Sequence, residues 1–270
     1  MKASGFSTKD LGGVALRGDP AREACFTVAR SDAEMHEWPD MSPISQRERL
    51  HRHMNNECTA LEIAAQCLVD YPDAPWDLRM RIARQAADEA RHAALLCRRL
   101  VELNGRKGEF PVSNFEWGVT LMLEDLPGRL AVENRTFEAG LIDLLGSLRD
   151  VWREAGDATT ADLLDGILAD EITHVRFANR WIRRITEEDP TVLLDVARAI
   201  GFLGKALKAA NSGEEVPNAV GIIIGAKLPP AVNVEGRLEA EFTIEEVKEV
   251  LKQAGFRSII PHALAMGGAS

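Results

Sequence analysis

The chain has 270 residues, 46% of them apolar and 27% charged, with a formal net charge of −10. That is enough for one large domain or a domain with an appendage, and the composition is that of an ordinary globular protein. The acidic balance argues against general affinity for nucleic acid or anionic membrane. No apolar run, Ala219–Ala226 among the longest, approaches the roughly 18–20 residues of a membrane span.

Residues 1–42 are rich in Gly, Pro, Asp and Ser and read as an irregular arm over the main domain, with a short strand near Ala24–Val28. Met1-Lys2-Ala3-Ser4-Gly5 leads into no apolar signal region, so a cytoplasmic location is expected. The cysteines Cys25, Cys58, Cys67 and Cys97 form no C-x-x-C pair and read as reduced. A first helix starts after Pro43 and runs to about Asp70, with the apolar line Leu50, Met54, Leu61, Ala64, Leu68 and with Glu57 inside that line. Tyr71-Pro72-Asp73-Ala74-Pro75 breaks the chain. A second helix spans about Trp76 to Leu103 on the stripe Leu78, Ile82, Ala86, Glu89, Ala93, Leu96, and Asn104-Gly105 stops it.

The next helix is expected from about Asn114 to Gly146, kinked at Pro127, with Leu130, Glu133, Phe137, Leu141 and Leu144 as its stripe. Glu133 is thereby inward, and Glu138 falls off the line. A shorter piece follows at Leu148–Glu154. The fourth main helix runs from Thr159 or Thr160 to about Glu187 on the stripe Leu164, Ile167, Glu171, His174, Ala178, Ile182. An amphipathic helix over about Thr191–Ala210 comes next, then an extended wrap over 211–240. A last helix opens on the capping box Thr243-Ile244-Glu245-Glu246 and ends at Gly255. The fold class is therefore all-α: an N-terminal arm (1–42), a four-helix bundle (43–190) and a C-terminal helical extension (191–270) that packs on it.

The chemistry lies where charge interrupts the apolar stripes. Asp88-Glu89-Ala90-Arg91-His92 and Asp170-Glu171-Ile172-Thr173-His174 each present Glu and His three residues apart, on one face of a helix. Unpaired ionised groups are too costly to bury, so buried ones are paired or bound to metal. With Glu57 and Glu133, four helices each supply an inward carboxylate, and two of them add a His. That is the ligand set of di-iron and di-manganese carboxylate bundles, in which four carboxylates neutralise two divalent cations. The expected metal ligands, and with them the catalytic centre, are Glu57, Glu89, His92, Glu133, Glu171 and His174. The competing reading, surface ion pairs with neighbouring arginines, requires all four carboxylates to fall on apolar faces by accident.

Asp88 and Asp170 each precede a His by four residues and can take the outer N–H of a ligating imidazole. The alternative is a salt bridge to Arg91 or Arg180. His53, one turn before Glu57, is a further ligand, a proton donor or a polar neighbour.

The segments Asn56–Glu62, Ala87–His92, Val132–Arg135 and Asp170–Val175 resemble the ferritin-like superfamily. Within it they are similar to a bacterial dimetal-carboxylate family of unknown function, related in fold to the tRNA-modifying di-iron hydroxylase. Asn179-Arg180-Trp181 and Pro230–Glu235 extend the likeness, which covers about residues 45–255. Asn55 departs from it, standing where a His is expected. The resemblance implies the ferritin-like bundle and its metal ligands but no substrate.

Among dimetal proteins, a tyrosyl-radical function is disfavoured. The sole tyrosine, Tyr71, lies fourteen residues from Glu57, about 21 Å along a helix. No Cys-rich electron-transfer module is present, so electrons come from the substrate or an external donor. The leading expectation is a dioxygen-dependent oxidase or oxygenase with two iron ions, or manganese in one or both places. It would act on a small-molecule substrate by hydroxylation or N-oxygenation. A homodimer is compatible with this reading. Non-catalytic metal binding or iron storage, and tRNA modification supported only by the Arg-rich face of the second helix, are the alternatives.

Overall fold

The computed structural model describes residues 6–211 and 232–255. The predicted all-α class is what is observed, with two small two-stranded sheets at the periphery. α1 (Pro43–Asp70) and α2 (Trp76–Glu102) lie against each other, joined by the Tyr71–Pro75 turn. Pro43 opens α1, where its missing N–H costs nothing.

The third stretch departs from the single kinked helix the pattern predicts. α3 (Phe115–Thr120) ends, and α4 (Leu126–Val132) starts afresh. Asp125 caps α4, accepting from the Gly128 N–H at 2.6 Å, and Pro127 sits in the first turn, so it starts a helix rather than bending one. A π-helical turn, Glu133–Glu138, then leads without interruption into α5 (Ala139–Glu154), which absorbs Gly146 and the predicted separate piece. α6 (Ala158–Glu188) is capped by Asp157, which accepts from the Thr160 N–H at 2.9 Å.

α7 (Val192–Ala210) packs on α4, and α8 (Val234–Glu239) on α5 and α6. Arg237 of α8 is buried and makes a two-pronged ion pair with Asp143 of α5, Nε to Oδ1 at 2.9 Å and Nη2 to Oδ2 at 2.6 Å. α9 (Ile244–Gln253) has the predicted capping box, with Gly255 beyond it at φ 82°. Most of the predicted wrap, residues 212–231, and the chain beyond 255 lie outside the described residues.

The arm is more ordered than its composition suggests. β1 (Thr8–Leu11) and β2 (Val14–Arg17) form an antiparallel hairpin closed by Gly12 and Gly13, both at positive φ, the conformation a two-residue hairpin loop requires. Leu16 is fully buried against α3 and α7. The strand expected near Ala24–Val28 is the two-residue β3 (Val28–Ala29), paired in parallel with β4 (Val112–Ser113).

The bundle's core is split. One apolar cluster takes Leu50 and Met54 from α1, Leu96 from α2, Ile142 from α5 and Leu164 from α6. The other takes Ile63 from α1, Ile82 from α2, Leu130 from α4 and Ile182 from α6. Between the two, all four stretches turn polar residues inward.

Candidate metal centre

The polar layer is buried. Glu57, Glu89, His92, Glu138, Glu171 and His174 are each at most 4% exposed. Donor atoms of Glu57, Glu89, His92 and Glu171 all lie within 4.8 Å of one another, as do those of Glu89, Glu138, Glu171 and His174. Glu89 and Glu171 belong to both quartets. The buried Glu/His cluster can hold a metal ion. Two cation positions sharing two carboxylates would satisfy every member.

The arrangement of the atoms fits a cation better than a hydrogen-bond network. His174 Nδ1 is 3.0 Å from Glu89 Oε1, yet neither atom has a hydrogen-bond partner of acceptable geometry; nor do Glu57 Oε1 or either oxygen of Glu171. Buried polar atoms are rarely left so. Only His92 Nδ1 finds partners inside the cage, Glu57 Oε2 at 3.1 Å and Glu89 Oε2 at 2.9 Å. Carboxylate oxygen with imidazole nitrogen suits iron, manganese or zinc rather than a soft ion.

Around this cage the two aspartates act across helices rather than along them. His92 Nε2 lies 3.2 Å from Asp170 Oδ2, and His174 Nε2 lies 3.4 Å from Asp88 Oδ2. The expected pairs, Asp88 with His92 and Asp170 with His174, are therefore exchanged. α2 and α6 run antiparallel here, so residue 88 stands opposite 174 and residue 92 opposite 170. The predicted salt bridge to Arg91 coexists with this role: Arg91 Nη2 donates to Asp88 Oδ1 at 3.0 Å and to Asp170 Oδ2 at 2.7 Å. Arg180 instead pairs with Glu241. Each imidazole thus turns Nδ1 toward the cage and has its outer nitrogen beside an anchored carboxylate, an arrangement that fixes tautomer and ring orientation.

On the third stretch the structure places Glu138, rather than the expected Glu133, among the clustered donor atoms. Glu133 is buried but absent from both quartets; it accepts from Thr120 Oγ1 at 3.2 Å and bonds Glu116. The reason is the π-helical turn. A 3.6-residue period sets Glu138 off the stripe, but i→i+5 winding brings residues 133 and 138 into line, one wide turn apart along the axis. Glu138 is then held by two amides that the sequence did not single out. Gln85 Nε2 donates to its Oε1, and Asn134 Nδ2 donates to its Oε2 at 2.7 Å. Thr136 Oγ1 returns to the Ala131 carbonyl at 2.9 Å, satisfying a group the widened turn frees.

His53 stays outside both quartets, with Nε2 2.6 Å from Glu57 Oε1. Asn55, where the resemblance expects a His, serves the arm instead. It donates to the Ser113 carbonyl at 3.0 Å and accepts from Arg22 Nε at 3.1 Å.

A cavity of about 30 Å³ opens on the carboxylate side of the cage, room for about two water-sized molecules. Ala60, Phe137 and Leu141 give it an apolar wall; His53, Asn56 and Glu116 give it a polar one. Glu116 was also missed from the sequence, being the single acid of a six-residue helix with too short a period to read.

Residues 7–248 match the family described as "Protein of unknown function (DUF455)". The chain belongs to that family. A Haemophilus influenzae relative named "Uncharacterized protein" is 26% identical over 176 residues, 63% of this chain and 54% of that one. The chain thus spans about half the length of this curated relative. No solved structure matches the chain. Since these descriptions name no chemistry, the functional reading rests on the cage.

Without a cation, protons must neutralise the cage. Burial, together with the charge of Glu89, pushes Glu171 up to about 8. Burial likewise raises Glu138, with Glu171 adding to it, well above the carboxylate range. Burial opposes charge on His92, but Glu57 and Glu89 outweigh it and raise the imidazole to about 11. Burial also opposes ionisation of Glu57, yet His53 and His92 outweigh it and hold that carboxyl below its usual range.

The folded Glu171 keeps a proton that the unfolded chain sheds near 4.5, so it costs stability as pH rises from there to about 8. His92 is fully stabilising below 6.5 and loses that contribution as pH rises toward about 11. Glu57 acts oppositely, but only on acidification below its unfolded value. Metal ligands must be deprotonated, so cations compete with these protons. The expected outcome is that chelator-treated protein melts at progressively lower temperature from about pH 5.5 to 8, while the rise in Tm on adding ferrous or manganous ion grows over the same interval. A metal-induced rise that shrinks with pH would contradict this. A second outcome separates the two third-helix carboxylates. Glu138→Ala should bind less metal per chain than the unaltered protein by elemental analysis, whereas Glu133→Gln should bind as much.

Proposed function

We propose that this chain is a dimetal oxidase or oxygenase of the ferritin-like kind, holding two iron ions, or manganese in one or both places, and acting with dioxygen on a small molecule. The observation that carries the reading is the sharing of Glu89 and Glu171 between two buried quartets beside a small, mostly apolar cavity. Glu57 and His92 would complete one cation position, and Glu138 and His174 the other. Once bound, a redox-active pair supplies electrons and Lewis acidity for dioxygen reduction.

The remaining roles belong to the chain. Asp88 and Asp170 orient the imidazoles. Phe137, Leu141 and Ala60 limit the water that reaches the cavity, which protects a reactive oxidant. Glu116, raised by burial to about 8 and bonded to Glu133, holds a proton at the cavity wall near neutral pH, where reduction of dioxygen consumes one. Hydroxylation and N-oxygenation both suit this arrangement. Their electrons come from the substrate or from an external donor.

Purified protein loaded with ferrous iron should take up dioxygen faster than its Glu89→Ala and His174→Ala variants. Asp88→Asn should fall between them, slowed by roughly 10–100-fold. Uptake no faster than that of free ferrous iron in buffer would sink the proposal, as would the loading of many irons per chain instead of about two.

A further inference from the structure

Apart from the cavity beside the cage, α2 and α6 form a surface groove of about 790 Å³. Its walls carry Arg81 and Arg84 from α2, and Arg176, Arg180 and Arg184 from α6, with Trp181 among them. Asp77 is the one acid in the lining. On a chain of net charge −10 this gathers five arginines along one groove, four of them paired with acids. Residues 176, 180 and 184 recur every four positions, which sets three guanidinium stems along about 12 Å of one helix face.

Part of this charge is already engaged: Arg176 pairs with Glu239 and Arg180 with Glu241. The rest is open to solvent. Arg81 has no ion-pair partner among the described residues. Arg184 lies over the Trp181 ring at 4.8 Å and its side chain is 60% exposed. The Arg84 side chain is 68% exposed even though it donates to Asp88.

Two features indicate what such a groove serves. It shares no lining residue with the cavity beside the cage, so a ligand lying in it meets a wall of protein, not the cations. That wall is thin. Arg84 Nε donates to Asp88 Oδ2 at 2.9 Å, and the same oxygen lies 3.4 Å from His174 Nε2. Thr173, which lines the groove, adjoins His174 in the chain. A substrate cannot cross this layer; an electron can. An RNA substrate laid along the arginines would touch none of the residues that line the cavity.

We infer that the groove docks an acidic one-electron donor protein, of the iron–sulfur or flavin class, which delivers electrons to the cage through the Asp88–His174 contact. The inference rests on the dimetal oxidase reading. Each docking oxidises the donor by one electron, and two dockings take both cations from the trivalent to the divalent state. Carboxylates on the donor replace water around Arg81 and Arg184, giving association that is fast at low salt and weak at high salt.

The test uses the full chain and two probes, an acidic [2Fe–2S] ferredoxin and an acidic flavodoxin. Affinity is read by titration, and reduction of the iron-loaded protein by stopped flow. At least one probe should bind at low ionic strength. The Arg81→Glu/Arg184→Glu double variant should weaken it by at least about tenfold and slow its electron transfer equally. Reduction by dithionite, a small ion that needs no groove, should be unchanged, and Arg198→Glu, on α7, should behave as the unaltered protein. Binding by neither probe, or binding indifferent to the double variant, overturns the inference. So does bulk tRNA binding that the same variant abolishes while neither protein docks. Dithionite-reduced protein that takes up no dioxygen would defeat the oxidase reading instead, and the affinities would still decide whether the groove binds acidic proteins.

Discussion

Six ionisable side chains meet at the buried centre of a helix bundle, and that burial of charge is the constraint on which the rest of the structure depends. An isolated buried carboxylate is too costly to keep ionised, and four stand here beside two imidazoles. Only two kinds of neutralisation are available. Protons suffice in the metal-free protein, shared among raised carboxyls and charged imidazoles. Divalent cations would do it too, because the donor atoms of each quartet lie within 4.8 Å of one another. A site that protons and metals both satisfy allows the chain to fold before loading.

The surroundings read as the means of holding that charge in place. Apolar clusters lie on both sides of the polar layer and use all four helical stretches, so no single helix can slide without opening both. Each fully buried Leu or Ile contributes about 1.5–3 kcal/mol, enough in aggregate to tolerate a central layer that is unfavourable when empty of counter-charge. The aspartates and Arg91 lash α2 to α6 outside the imidazoles, while Gln85 and Asn134 set Glu138 from the other side. The π-helical turn is the local departure that lets the third stretch present Glu138 at the level of the cage.

Much of this was legible in the sequence because helical periodicity is a strong signal over long segments. α1, α2 and α6 fall within a residue or two of their expected bounds, and Glu57, Glu89, His92, Glu171 and His174 stood out as charge on apolar stripes. The failures have one cause each. Glu138 was passed over because period counting assumes a constant 3.6 residues per turn, which the π turn violates. The aspartate pairings came out exchanged because spacing along one helix says nothing of what the antiparallel neighbour brings opposite. Gly12-Gly13 was the available hairpin signal in the arm, and composition masked it. The arginine groove needed both α2 and α6 to be seen side by side; from α2 alone its charges read as a solvated face.

The central proposal is that the cage would hold two cations, with Glu89 and Glu171 common to both positions. The most direct measurement is anomalous-difference crystallography, at the iron edge, of crystals grown with ferrous iron. The account predicts two peaks, about 3.5–4 Å apart, one beside His92 with Glu57 and the other beside His174 with Glu138. A single peak, or a second one held by Glu133 and Glu116 instead of Glu138, would contradict it.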